Sequence, residues 1–326
     1  MLRTNNEAWA VARQVIGSGL TRVVLAGCLI GTAVADAADV PDLPPVVAPL
    51  AAPPSRNAAA VAVLASYRYD DLLWENDCIA HRIYGRALEA AEPPSGSGID
   101  SWGKNVVWPF ADRQLRSGDQ HAYHGEGLDF YNVGTTRGAG GLGVWHDNKL
   151  WTSRNFARHR ILQSGESVAD FVVEYAPWPV DVDRTVWETR RFTLPLGTQF
   201  TRLVSTLSSD KPGPLTVGIG IGKRTTGANG ELTVDRSRGL LSWWGPEDGA
   251  HGRMAVAIRV DPAMIVEVRQ DADNHLVLLN VTAGKPFVYY SGSAWSKGAS
   301  GVRTRAEWDG YATNEQLDFT IPAATK

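Results

Sequence analysis

Along most of the chain after about residue 60, short apolar runs alternate with polar positions, and few stretches keep a helical period. Alternating or β-branched segments run from Ile79 to Tyr84, Ser167 to Glu174, Thr185 to Leu194, Phe200 to Leu207 and Leu215 to Ile221. Further ones run from Arg253 to Val260, Met264 to Arg269, His275 to Val281 and Phe287 to Tyr290. Turn-forming groups separate them, among them Ser209-Asp210-Lys211-Pro212-Gly213, Ala228-Asn229-Gly230, Asp261-Pro262 and Ala283-Gly284. Many short strands with this punctuation predict a mainly β, antiparallel sandwich. The best helix candidate is Arg303 to Gln316, where Glu307, Trp308 and Tyr311 share a face.

The amino terminus breaks this pattern. Arg3, Arg13 and Arg22 precede an apolar stretch from Val23 to Val34, followed by Ala35 and Ala37. That is the order of a cleavable export signal, and the apolar part is too short for a permanent membrane span. Leu25-Ala26-Gly27-Cys28 offers a competing lipoprotein site, with a short apolar core before it. Val40 to Pro54 is nearly all Pro, Ala, Val and Leu and reads as a stiff tether. The expected layout is a signal over 1–37, a linker over 38–56 and one carbohydrate-active β-sandwich over 57–326, in a periplasmic or secreted protein.

With 326 residues, 44% of them hydrophobic, and a formal net charge of -3, the chain can bury a large core but carries no basic block for nucleic acid. Signal removal would leave Cys78 alone, so no disulfide framework is expected; its apolar surroundings make it a packing residue.

The densest chemistry lies in Tyr123-His124-Gly125-Glu126-Gly127-Leu128-Asp129-Phe130-Tyr131. If extended, this run points His124 and Glu126 to one face, roughly 7 Å apart, and Asp129 and Tyr131 to the other. A sugar ring would bridge that gap. Trp is frequent, and Trp102, Trp145, Trp243 and Trp295 lie near polar or small residues that suggest loops, where their faces would suit sugars; Trp187 reads as core.

Trp74-Glu75-Asn76-Asp77, Ile79-Ala80-His81-Arg82-Ile83-Tyr84-Gly85 and Ser97-Gly98-Ile99-Asp100-Ser101-Trp102-Gly103-Lys104 resemble a bacterial family, domain of unknown function 4861. So do Tyr123 to Gly134, Arg137-Gly138-Ala139-Gly140-Gly141 and Tyr289-Tyr290-Ser291-Gly292-Ser293-Ala294-Trp295-Ser296-Lys297. Ala139 and Ala294 depart from the pattern, where a larger residue or glycine is expected. The resemblance covers Leu72 to Tyr311. It implies a single large antiparallel β-supersandwich, galactose-mutarotase-like, with one or two short helices, in a setting of uronate-polysaccharide degradation. It implies no settled catalytic set.

Uronates invite β-elimination, which needs a base at the acidified C–H, an acid for the leaving oxygen and a neutraliser of the carboxylate. The expected catalytic group is His124 with Tyr131 or Tyr123, oriented by Glu126 or Asp129. Lys104 and Arg137, with Arg82, are expected to hold the carboxylate. His81, Asp100, Trp102, Trp145, His146, Trp243, Trp295 and Lys297 complete the expected sugar-binding set. The partner is then an anionic oligosaccharide, and the product a lyase or dehydratase product. Hydrolysis by a pair drawn from Glu75, Asp77, Asp100, Glu126 and Asp129, a mutarotase reaction, or a non-catalytic binding module are the alternatives. No cofactor is required. A divalent metal at His121, His124 and Glu126, completed by His146 or His81, is a minor reading because the spacing lacks a helical ligand pair. The glycine run after Arg137 lacks the Lys-Ser/Thr ending of a phosphate loop and reads as a tight connection.

Overall fold

The structure is a computed structural model that describes residues 42–224 and 229–321. The expected signal and Cys28 lie outside the described residues. Strands β1 (Val61–Ala65), β2 (Asp71–Glu75), β3 (Ala80–Ile83), β4 (Asp100–Lys104) and β5 (Gly127–Leu128) form one five-stranded sheet in chain order. They are followed by β6 (Ala139–His146), β7 (Lys149–Trp151), β8 (Arg158–Gln163), β9 (Val168–Val180), β10 (Arg184–Pro195), β11 (Phe200–Ser209) and β12 (Pro214–Gly222). The remainder are β13 (Glu231–Asp235), β14 (Leu240–Trp244), β15 (Met254–Val260), β16 (Ile265–Gln270), β17 (Asn274–Thr282) and β18 (Pro286–Trp295). An eight-stranded sheet runs β13-β14-β15-β18-β11-β10-β9-β8, and a second five-stranded sheet runs β16-β17-β12-β6-β7. All named pairings are antiparallel.

Both five-stranded sheets pack on the same face of the large one, and alternation along β18 shows how. Tyr289 donates to Gly140 O at 3.1 Å and Ser291 to Ala139 O, both on β6. Ser293, two residues on, meets His81 of β3 at 3.3 Å. From the other side, Trp74 of β2 meets Phe171 at a tilt and Phe192 edge-on and donates to Thr201 at 2.9 Å. The alternate residues of β18, Val288, Tyr290 and Ala294, face the opposite way, toward helix α3 (Arg305–Asn314).

Helix α3 lies inside the range expected from periodicity. Its buried Trp308 stacks on Phe200, burial that contributes about 2–3 kcal/mol. Glu307 does not share that packing: its carboxylate accepts from Thr304 N–H at 2.8 Å while the Thr304 hydroxyl accepts from Glu307 N–H at 3.3 Å, a capping box. Two shorter helices, α1 (Leu88–Ala91) and α2 (Ala111–Arg116), make three among the described residues, where one or two were expected. α2 sits on the outer face of the first sheet, where Glu75 accepts from both Phe110 N–H and Ala111 N–H at 2.9 Å.

The Pro- and Ala-rich stretch is no free tether from Asp42 onward. Its backbone carbonyls at Ala48 and Ala51 accept from His124 and Arg113, and Val47 N–H donates to Tyr123 O at 3.1 Å. It is a strap across the domain, held by these main-chain bonds and by Leu43, which packs against the core.

Candidate active site

Sheet alternation places Asp71 of β2, Arg82 of β3, and Asp100 and Trp102 of β4 on the outer face of the first sheet. Arg82 Nε and Nη2 donate to Asp100 Oδ2 at 3.0 and 2.8 Å, and Nη2 also reaches Asp129 Oδ2 at 2.8 Å. Its Nη1 lies 3.6 Å from Asp71 Oδ2 without a hydrogen bond. The guanidinium is sandwiched by Tyr84 and Trp102 at 5.0 and 5.2 Å from the ring centres.

Three carboxyls around one buried guanidinium cannot all ionise. Burial, only partly offset by Arg82, pushes Asp71 up to about 7. Burial, with repulsion from Asp100, holds Asp129 well above the usual carboxylate range. Asp100 is saturated: Oδ2 also accepts from Trp102 Nε1 at 3.0 Å, and Oδ1 accepts from Ser101 N–H at 2.8 Å.

This cluster forms part of the wall of a cavity of about 370 Å³, whose other walls include His121, Phe130, Tyr131 and Asn132. Tyr131 is buried with a hydroxyl that makes no hydrogen bond among the described residues, and burial raises its pKa. Arg224 lies 5.8 Å from the Tyr131 ring centre. His121, with a side chain 67% exposed, stands at the rim. Its Nδ1–H donates to Asp129 O at 2.8 Å, and its Nε2 lone pair accepts from the Gln120 amide at 3.2 Å. The arrangement unites a carboxyl whose pKa burial raises, a phenol, an imidazole and the Arg82 guanidinium around one opening, which is a constellation for moving protons.

Of the expected residues, Arg82, Asp100, Asp129 and Tyr131 meet here, backed by Trp102. The others lie elsewhere. Only Gly127–Leu128 pairs as a strand, so His124 and Glu126 do not share a sheet face. The two nitrogens of His124 face Ala48 O at 2.6 Å and Asp119 O at 3.1 Å, which leaves no lone pair facing a ligand. Glu126 pairs with Arg113 and accepts from Trp108 Nε1 at 2.9 Å. Tyr123 is buried against Trp295, its hydroxyl held by Asn105 at 3.1 Å. The expected metal ligands therefore face separate protein groups, and no cluster of three or more such side chains occurs among the described residues.

The expected carboxylate holders are likewise internal. Lys104 Nζ is buried between Glu75 Oε2 at 2.5 Å and Trp108 O at 2.7 Å. Arg137 is buried against Ser97 Oγ, Leu142 O and Thr135 O, and burial pushes its pKa down to about 10. His81 is fully enclosed, stacked 5.2 Å from Trp74 and pushed down to about 4 by burial. Trp243 and Trp295 are buried one layer back, behind Tyr131 and Phe130. Trp145 and His146 line a different cavity of about 300 Å³, and Lys297 donates to Asp42 O. Trp187, read as core, is 38% exposed. Asp71, Tyr84, His121 and Arg224 were not anticipated in these roles. Tyr84 and the Asp70-Asp71 doublet beside the first motif block were the available signals.

Residues 49–324 match the family described as domain of unknown function 4861. Uncharacterized protein P7 of Formosa agariphila is 32% identical over 260 residues, covering 75% of this chain and 64% of that protein. This chain thus spans less than two thirds of its relative's length. Among solved structures, a heparinase III gene product with methylated lysines is similar at 13% identity and a TM-score of 0.36, over 78% of this chain and 36% of that one. No helix among the described residues is long and apolar enough to cross a membrane.

Proposed function

The chain belongs to the family of domain of unknown function 4861, and on that premise we propose that it is an exported enzyme that cleaves or dehydrates uronate-containing oligosaccharides by β-elimination. The observation that carries this reading is the buried Arg82–Asp100–Asp129 cluster beside Tyr131, whose enclosed hydroxyl has no hydrogen-bond partner among the described residues.

His121 Nε2 takes the proton from the ring carbon next to the carboxylate once substrate displaces the exposed Gln120 amide from it, and the Nδ1–H bond to the Asp129 carbonyl fixes the tautomer that places the lone pair on Nε2. Asp129, kept protonated by burial, donates a hydrogen bond to the uronate carboxylate, and Arg224 adds positive charge. The C–H electrons form the new ring double bond as the β C–O bond breaks. Tyr131 gives its proton to the departing oxygen. Asp100 only fixes Arg82, since its oxygens are already occupied. That occupancy weighs against a hydrolase in which Asp100 would serve as the second carboxylate.

The test is incubation of the purified protein with pectic, ulvan and alginate oligosaccharides, following absorbance of the unsaturated uronate and product mass. Tyr131→Phe and His121→Ala should each lower the rate by about a hundredfold or more, with the thermal midpoint kept. A product lighter by one water identifies dehydration. Shortened chains without absorbance would replace elimination by hydrolysis, and unaltered sugars that still bind would leave a binding protein.

A further inference from the structure

A larger cavity, about 630 Å³, opens on the eight-stranded sheet, apart from the carboxyl cluster. Its walls include Arg86, Arg158, Glu174, Tyr175, Trp187 and Glu188. Along β10 Trp187 is exposed and Glu188 buried, so their side chains point to opposite faces, and β9 carries the extra residue of a bulge between Tyr175 and Trp178. The exposed indole therefore stands on the outer face of the sheet.

On the buried face behind it, Glu188 binds Arg190 at 2.7 and 2.8 Å, and Arg190 lies 4.9 Å from the Tyr175 ring centre, so Arg190 backs the cavity and does not line it. At the rim Arg158 pairs with Glu174 at 2.7 Å, while Arg86 makes no ion pair among the described residues. Trp187 supplies a flat apolar face 38% open to solvent. An indole platform with two arginines beside it, one of them without an ion-pair partner among the described residues, matches a sugar ring that carries a carboxylate. Tyr84 lines the carboxyl-cluster cavity and Arg86 lines this one, so at most about 7 Å of backbone separates the two walls.

We infer that this cavity is a second binding subsite, for a distal uronate residue of an anionic oligosaccharide. It rests on the proposed function only for the class of sugar.

Isothermal titration with hexagalacturonate, hexaguluronate and a hexameric ulvan fragment tests it, using the full chain carrying Tyr131→Phe to suppress turnover. At least one hexamer should bind, and Trp187→Ala or Arg86→Ala should each raise its Kd about tenfold, with Trp187→Phe restoring most of the affinity. Maltohexaose should bind at least tenfold more weakly. Binding of none of the three hexamers, equal binding of maltohexaose, or a Kd indifferent to Trp187 would each overturn the subsite. Product formation by the unsubstituted protein is scored separately. Trp187-dependent binding without unsaturated product keeps the subsite and removes the elimination reading; elimination with Trp187-independent binding does the reverse.

Discussion

Crowding three carboxyls around Arg82 sets a pH response opposite to that of ordinary surface ion pairs. Asp71 keeps its proton to about pH 7 in the folded protein, against 3.8 as its ordinary value. Its contribution to stability is therefore complete below about pH 4 and is lost as pH rises through 7, because the folded state holds a proton that the unfolded chain has released. Asp71→Asn cannot titrate, so the thermal midpoint of the unsubstituted protein should fall relative to this variant between about pH 4 and 7. Parallel curves would rule the account out. Lys104 illustrates the reverse situation, a buried charge that depends on one partner. Glu75→Gln removes the opposite charge as well as weakening the cap of α2, and should destabilise by about 3–5 kcal/mol in urea titrations. At this scale the sequence was informative where chemistry clusters locally: Arg82, Asp100, Asp129 and Tyr131 all lie in the motif blocks. It was silent on Asp71 and Arg224, which come near Arg82 and Tyr131 only through sheet pairing and a distant loop. It misassigned His124, Lys104 and Arg137, because polarity alone does not distinguish a ligand-facing group from one that satisfies buried carbonyls.

The elements that carry the site depend on close backbone approach. A Cβ at Gly127 would fall 2.2 Å from Gly103 O and 2.5 Å from the Phe110 ring, so only glycine lets β5 pair with β4 directly before Asp129. Gly127→Ala should lower the thermal midpoint by about 5 °C or more and weaken turnover together with it. The strap from Asp42 to Arg56 tests differently, since most of its grip is main-chain. His124→Ala removes the group facing Ala48 O, and hydrogen exchange of the Val47 amide, which donates to Tyr123 O, should accelerate at least tenfold. Strand positions from β9 onward were largely legible, because one covered and one more open face produce alternation, as in the buried–exposed pattern of β10. β2 and β4 were not, being buried on both faces and reading as short mixed runs. β6 is rich in glycine where sheets approach closely, which resembles a turn in sequence.

The three sheets share one continuous core that links Trp74, Phe171, Val217 and Tyr289. Calorimetry should accordingly show a single transition with matching calorimetric and van't Hoff enthalpies, and two resolved peaks would mean that the first sheet melts alone. The eight-stranded sheet has a further property at its outer end. Among the described residues β8 pairs only with β9, and it begins Arg158-His159-Arg160, all exposed. A second copy adding edge to edge would bring these arginines within about 5 Å of their counterparts, since that is the spacing of neighbouring strands. Arg158, which also borders the larger cavity, thus helps guard the sheet against growing into a fibre. Salt weakens that repulsion, so Arg158→Thr with Arg160→Thr should increase association in sedimentation, most visibly at low ionic strength where the unsubstituted edge is best protected.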